Sequence, residues 1–372
     1  MDKIQLSKPS LGEDELSAVR EVFSTGYLGM GEYVREFENK LGVMFNRQAV
    51  CVSSGTAALQ LALEAIGINK GDEVLVQSMT YTATYQAIIA AGGIPISCDI
   101  NELDLSLDLS DAKRKLTKKT KAILPVHYGG YAGRIKELYS FASDNKLRVI
   151  EDAAHAFGSS VDDNLVGSFG DICCFSFDPV KSITCGEGGA IITNDTSVIR
   201  HVQSARILGL NKDTGVKLED NSFCYEFTAG QGWRYHMSNV SAAIGLVQLG
   251  KSNDLIRKRR LLAFRYAQNL SDEPKLSLLP FNYNDVAPYI FVVLILDGNR
   301  DKILENLKKS GIHAGFHYYP CHLHPYFSQF GKYYLPVTEN IYSKLLTLPM
   351  HADLEIKHVD FVSTYLKREL NN

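Results

Sequence analysis

Six short apolar runs between residues 73 and 194 restrict the folds open to the chain: EVLVQSM (73–79), PISCDI (95–100), KAILPVHY (121–128), LRVIEDAA (147–154), ICCFSF (172–177) and GAIITN (189–194). Each is short and apolar, and reads as a strand. Helical patterns lie between several of them, at 57–65, 84–91 and 135–145. Strands that alternate with helices predict an α/β layer around a mostly parallel sheet. In such sheets ligands gather where strands end and helices begin.

Beyond residue 237 the pattern turns helical. MSNVSAAIGLVQL (237–249) is followed by the basic, amphipathic SNDLIRKRRLLAFRYAQNL (252–270), which reads as a long connecting helix. YIFVVLIL (289–296) reads as a strand, and NRDKILENLKKSG (299–311) as a helix that Gly311 ends. This pattern predicts a large domain over 1–250 and a smaller C-terminal α+β domain over 251–372, and 372 residues are enough for both.

Composition excludes several functions. The chain is 45% hydrophobic and 22% charged, the balance of a soluble globular protein. A net charge of −3 gives no electrostatic case for nucleic acid as a partner. No stretch approaches ~18 apolar residues, so no membrane insertion is expected. The first residues, MDKIQLSKPS, carry no apolar signal segment. The seven cysteines are odd in number and form no CxxC pair, and so read as reduced, mostly buried thiols of a cytoplasmic protein.

Three stretches carry chemistry. In VSSGTAAL (52–59) small residues meet a helix start, where free N–H groups attract anions. Thr56 and Ala57 would offer amides; the same letters also describe a plain helix start capped by Ser54 or Thr56. In VIEDAAHAFG (149–158) an apolar run ends in Glu151 and Asp152, with His155 one turn on. A carboxylate at a strand end could pair with a protonated ring nitrogen, hold a metal, act as a base or cap a helix. In FSFDPVKSITCGEGGA (175–190) Ser176 and Lys181 precede a glycine tract. That lysine could be a solvated charge, a phosphate ligand or the anchor of a covalent cofactor. A lysine Schiff base, an aspartate for the pyridinium nitrogen and an anion site for the phosphate are together what pyridoxal phosphate requires. No GxGxxG follows the first strand and no GxxxxGK[ST] is present, so the dinucleotide and P-loop readings fail. HYYPCHLHPY (317–326) holds three histidines and a cysteine. It invites a metal reading, but its tyrosines and histidines suit stacking on a nucleotide or sugar better, and a packed loop is also open.

Taken together these stretches resemble the DegT/DnrJ/EryC1/StrS family of pyridoxal-phosphate-dependent sugar aminotransferases. The resemblance also covers STGYLGMGEYVREFE (24–38), MTYTATYQAI (79–88), LPVHYGGYAG (124–133), YHMSNVSAAIGLVQL (235–249) and HYYPCHLHPYF (317–327). It implies the aspartate aminotransferase-like fold, fold type I, with active sites shared in a homodimer. It makes Lys181 the Schiff-base lysine and proton carrier, with pyridoxamine phosphate as the intermediate form of the cofactor. It sets Asp152 against the pyridine nitrogen, His155 near the ring's 3-oxygen and Tyr81 on the ring face. Thr56, Ala57 and Ser176 become phosphate ligands; Tyr27, His317 and Tyr318 touch the sugar nucleotide. Two positions depart from the pattern. Asp178 stands where many members have His, and Arg234 stands where many have an Asn that reaches the neighbouring subunit's cofactor phosphate. The implied reaction is amination of a nucleotide-linked 4-keto-6-deoxyhexose with L-glutamate, for surface polysaccharide or glycan synthesis such as O-antigen and lipopolysaccharide. Amination at C3 is the neighbouring alternative. A pyridoxamine-phosphate dehydratase would carry His in place of Lys181, and a non-catalytic relative would have no use for the intact Lys181, Asp152 and anion turn.

Overall fold

The structure is a computed structural model that describes residues 3–210, 216–217, 223–224 and 230–371. Seven strands form its central sheet: β1 (Gln48–Val52), β2 (Glu73–Gln77), β3 (Ile94–Cys98), β4 (Thr120–Leu124), β5 (Arg148–Asp152), β6 (Ile172–Ser176) and β7 (Gly189–Thr193). Their spatial order is β1-β7-β6-β5-β4-β2-β3. The pairs β3–β2, β2–β4, β4–β5 and β5–β6 are parallel, and β7 runs antiparallel to both β6 and β1. Only β7 is therefore reversed. Helices cover the sheet, and β6 and β7 are buried along their whole length. That is why these strands read as continuous apolar runs rather than alternating ones. Each fully buried Val, Ile or Leu among them contributes roughly 1.5–3 kcal/mol. Three helices start and end within three residues of the expected limits: Gly55–Ala65, Thr82–Ala90 and Ile135–Asp144.

The region after 237 differs from the expected two helical pieces. One continuous helix, Asn239–Leu270, runs through Gly250, capped by the Ser238 hydroxyl on the Ser241 N–H. A glycine inside a helix costs about 1 kcal/mol, less than the packing of the two flanking halves returns. The first half lies against helices Glu13–Thr25 and Glu32–Phe45. The second half buries Leu262, Tyr266 and Leu270 against a smaller antiparallel sheet of β8 (Leu276–Leu278), β9 (Phe291–Ile295) and β10 (Leu345–Leu348). Helices Arg300–Lys309 and Ile356–Asn371 complete this second core, which Ile4 joins through a bridge to Ile312. We propose that the two cores are two domains divided near residue 250, inside the long helix. Among the described residues no helix is long and apolar enough to cross a membrane. The described cysteines, Cys51, Cys98, Cys173, Cys174, Cys185 and Cys321, are free and buried; Cys224 lies outside the residues whose side chains are described.

Candidate active site

The carboxyl ends of β5 and β6 and the start of helix Gly55–Ala65 open onto one cleft. Lys181, Asp152, His155, Tyr81, Thr56 and Ser176 all line it. Residues scattered over more than half of the large sheet's sequence are thus brought together.

Strand geometry separates two adjacent carboxylates. Successive side chains on a strand point to opposite faces, so Asp152 and Glu151 part company. Glu151 turns away from the cleft and is fully buried. It meets His127 Nε2 at 2.7 Å and accepts the Tyr139 hydroxyl at 2.6 Å. Its role is structural. Asp152 faces the cleft. Its Oδ2 accepts the Thr84 hydroxyl at 2.8 Å and its Oδ1 accepts the Ala154 N–H at 3.2 Å. Burial pushes the Asp152 carboxyl above its ordinary value, against the lowering effect of Thr84, Ala154 and the Lys181 charge. A cation brought beside it would relieve that burial.

His155 enters the cleft from a tight turn, not a helix, closed by the Ala156 N–H on the Ala153 carbonyl. Its Nε2 lies 2.9 Å from the Tyr318 hydroxyl, while its buried Nδ1 has no partner. Burial, with the charges of Lys181 and His317, pushes the ring well down, so it is neutral at physiological pH. An unpartnered buried ring nitrogen is costly unless a ligand meets it.

The anion turn is built by close approach. Ser54 caps the helix, and its Oγ takes the Ala57 N–H at 3.1 Å. Ala57 is itself buried and does not line the cleft. The amides left for a ligand are those of Gly55 and Thr56, which differs from the expected Thr56–Ala57 pair. A Cβ on Gly55 would lie 2.7 Å from Ser176 Cβ, and one on Gly189 would lie 2.4 Å from the Ser54 carbonyl oxygen. Only glycine lets the three segments meet.

Asp178 has a local role. Its Oδ1 accepts the Val180 N–H at 3.0 Å and its carbonyl accepts the Lys181 N–H at 3.1 Å. The resulting turn delivers Lys181 into the cleft. Lys181 Nζ sits 4.3 Å over the ring of Tyr289. The late His-Tyr segment also converges here. The Tyr318 ring lies tilted against Tyr81 with centroids 5.6 Å apart, the His317 carbonyl accepts the Tyr128 hydroxyl, and His317 Nδ1 meets Thr347 Oγ1 at 3.0 Å. Burial and the Lys181 charge push His317 down to about 4. The rest of that segment is packed: His322 bonds Ser78 and Glu339, and Cys321 reaches the Thr80 carbonyl. Among the described residues no group of three His, Cys, Asp or Glu is placed to hold a metal.

Tyr27 and Arg234 do not join this cleft. They line a second one, with Met30 and Leu208, and both are exposed. Two cleft residues are not legible as such in the sequence: Thr84 looks like an ordinary helix residue and Glu187 like part of a glycine tract. Tyr289, whose ring lies under Lys181 Nζ, reads only as the start of a strand.

The residues fit the expected cofactor: an acid awaiting a cation, an anion turn, a neutral histidine with an unpartnered Nδ1 and a lysine on one cleft. The comparisons agree. The profile of the DegT/DnrJ/EryC1/StrS aminotransferase family matches residues 9–367. The chain is 32% identical over 367 residues to the spore coat polysaccharide biosynthesis protein SpsC of Bacillus subtilis (strain 168), covering 96% of this chain and 94% of that protein. PseC of Helicobacter pylori, an aminotransferase involved in the biosynthesis of pseudoaminic acid, superposes with a TM-score of 0.92 at 26% identity over 100% of both chains. NtdA of Bacillus subtilis, solved with bound pyridoxamine phosphate, superposes with a TM-score of 0.85 at 28% identity over 97% of this chain and 82% of that one. With the aspartate aminotransferase-like fold and the site in agreement, the chain belongs to the DegT/DnrJ/EryC1/StrS family and is a pyridoxal-phosphate-dependent sugar aminotransferase.

Proposed function

We propose that this enzyme aminates a nucleotide-linked 4-keto-6-deoxyhexose at C4, with L-glutamate as donor, in the cytoplasm, and that the product enters surface polysaccharide or glycan synthesis. The convergence of Lys181 and Asp152 on one cleft carries the reaction type. The similarity to SpsC and PseC, named for polysaccharide and pseudoaminic acid biosynthesis, supports the substrate class.

When bound, pyridoxal phosphate supplies an electron sink for the carbanion at the donor's α-carbon. The chain's residues do the rest. Asp152 would hold a proton on the pyridine nitrogen by its charge, and Thr84 and Ala154 fix the direction of that carboxylate. The Gly55 and Thr56 amides, with the Thr56 and Ser176 hydroxyls, would hold the phosphate at the helix start. His155 Nδ1 would be free for the ring's 3-oxygen, while the Tyr318 hydroxyl lies at the other imidazole nitrogen. Tyr81 would cover one ring face and exclude water from it. Lys181 Nζ takes the proton from the donor carbon as a base and returns it as an acid.

Tyr27 and Arg234 serve the neighbouring subunit in this reading. Both lie outside their own chain's cleft, on a face that also exposes Leu28 and Leu208. A homodimer would place that face over the partner's cleft, where Arg234 would clamp the phosphate and Tyr27, His317 and Tyr318 would touch the sugar nucleotide. The test is a panel of nucleotide-linked 4-keto and 3-keto sugars with glutamate, with the aminated carbon read by NMR. A 4-amino product supports the proposal. A 3-amino product, or no turnover with any 4-keto sugar, overturns it.

A further inference from the structure

Lys181 has an aromatic neighbour in place of an ion-pair partner. Its Nζ lies 4.3 Å over the centre of the Tyr289 ring, and no hydrogen bond or ion pair ties that Nζ to any described residue. Tyr289 is only 6% exposed and sits two residues ahead of β9, in the small-sheet part of the chain. Its position is fixed from two sides. The Tyr289 carbonyl accepts Arg259 Nη1 at 3.1 Å, and the same guanidinium reaches the Met350 carbonyl at 3.3 Å. Arg259 is itself buried on the long helix, which pushes it down to about 10 and leaves it charged at neutral pH. The His155 ring packs on Tyr289 at 4.2 Å. A buried cation thus pins the loop that holds the ring beneath the working amine.

We propose that Tyr289 is a catalytic residue, whose ring face seats the Lys181 ammonium while that lysine is free of the cofactor and carries the proton. The proposal rests on the reading of Lys181 as the working lysine. A ring face attracts a cation through its quadrupole. It accepts no strong hydrogen bond, so the three N–H donors of the ammonium stay available for delivery. A carboxylate at the same place would take up those donors and hold them. Phe could do this work and Leu could not.

Two readouts test the seat. Reductive methylation of the cofactor-free protein with isotope-labelled formaldehyde gives each lysine its own methyl signals by NMR, and Lys181→Arg assigns the signal of Lys181. A methyl group over a ring face is shifted upfield. The expected result is an upfield Lys181 signal in the wild type and in Tyr289→Phe, and an ordinary lysine position in Tyr289→Leu. In the loaded enzyme, Tyr289→Leu slows glutamate-driven bleaching of the cofactor about 5–30-fold, and Tyr289→Phe recovers most of the rate. An ordinary Lys181 position in the wild type overturns the proposal even if Tyr289→Leu fails to fold. Equal rates in the Phe and Leu variants overturn it too. Neither result touches the parent reading, which fails separately if Lys181→Ala still forms the coloured cofactor adduct.

Discussion

Asp152→Asn separates the charge of that side chain from its shape. The carboxylate is 6% exposed and accepts hydrogen bonds from Thr84 at 2.8 Å and Ala154 at 3.2 Å. Asn keeps the Ala154 bond with its amide oxygen. Its NH₂ then faces the Thr84 hydroxyl, which can reverse and donate to Thr80 Oγ1, 2.8 Å away. Both bonds survive, so loss of contacts costs less than about 1 kcal/mol. The charge acts with a definite sign. Burial raises the native carboxyl above its ordinary 3.8. A raised acid contributes stability that is present below the unfolded pKa and lost as pH rises through the native one. At neutral pH the cofactor-free wild type therefore carries a destabilising buried charge, which Asn removes. The cofactor-free variant should melt above the wild type at neutral pH, and the difference should shrink toward about pH 4. With cofactor bound the order reverses, because binding then favours the carboxylate. Removing one preorganised charge from a reacting centre slows chemistry on the order of 10²–10³-fold. Thermal unfolding with and without cofactor, and single-turnover bleaching with glutamate, read all of this. Bleaching slowed by less than about tenfold would refute Asp152 as the partner of the ring nitrogen.

Further outcomes follow from the same geometry. Lys181→Ala should lose turnover and the coloured adduct, yet shift stability by less than about 1 kcal/mol, because among the described residues its amine makes no hydrogen bond or ion pair and lies over a ring face; retained turnover would end the assignment. His127→Ala strips a fully buried Glu151 of one of its two partners. It should lower unfolding stability by at least about 1–3 kcal/mol in urea titration, because a buried carboxyl group is left short of a partner, and an unchanged midpoint would mean that this contact does not hold Glu151 in place. Gly189→Ala drives a Cβ to 2.4 Å from the Ser54 carbonyl. Cofactor affinity, measured by fluorescence titration, should fall about tenfold or more, and wild-type affinity would remove the anion turn from the account.

Much of this was legible in the sequence because strands covered on both faces are nearly continuous apolar runs. β2 to β7 lie within two residues of their expected starts for that reason. β1 is not legible: QAVCV follows a helix directly after Asn46 and pairs only at the sheet edge. LSL and LLTL, which form β8 and β10, are shorter still and gain their strand character from pairing with β9. The sequence presents two helical pieces on either side of Gly250, whereas packing on both sides holds one continuous helix through it. Within the site, Asp152, His155, Ser176 and Lys181 announce themselves by neighbours in the chain. Thr84 and Tyr289 do not, since their contacts with Asp152 and Lys181 exist only after the chain has folded. Glu151 shows the opposite case: adjacent to Asp152 in sequence, it is sent to the other face by strand alternation.

The central claim is that Lys181, Asp152 and the turn at Gly55 form one working transaminase site. The visible spectrum of the purified protein with pyridoxal phosphate, before and after glutamate, tests it most directly. The account predicts a yellow protein that bleaches as the cofactor takes up the amino group. A protein that never turns yellow, or a colour that glutamate leaves unchanged, would contradict it.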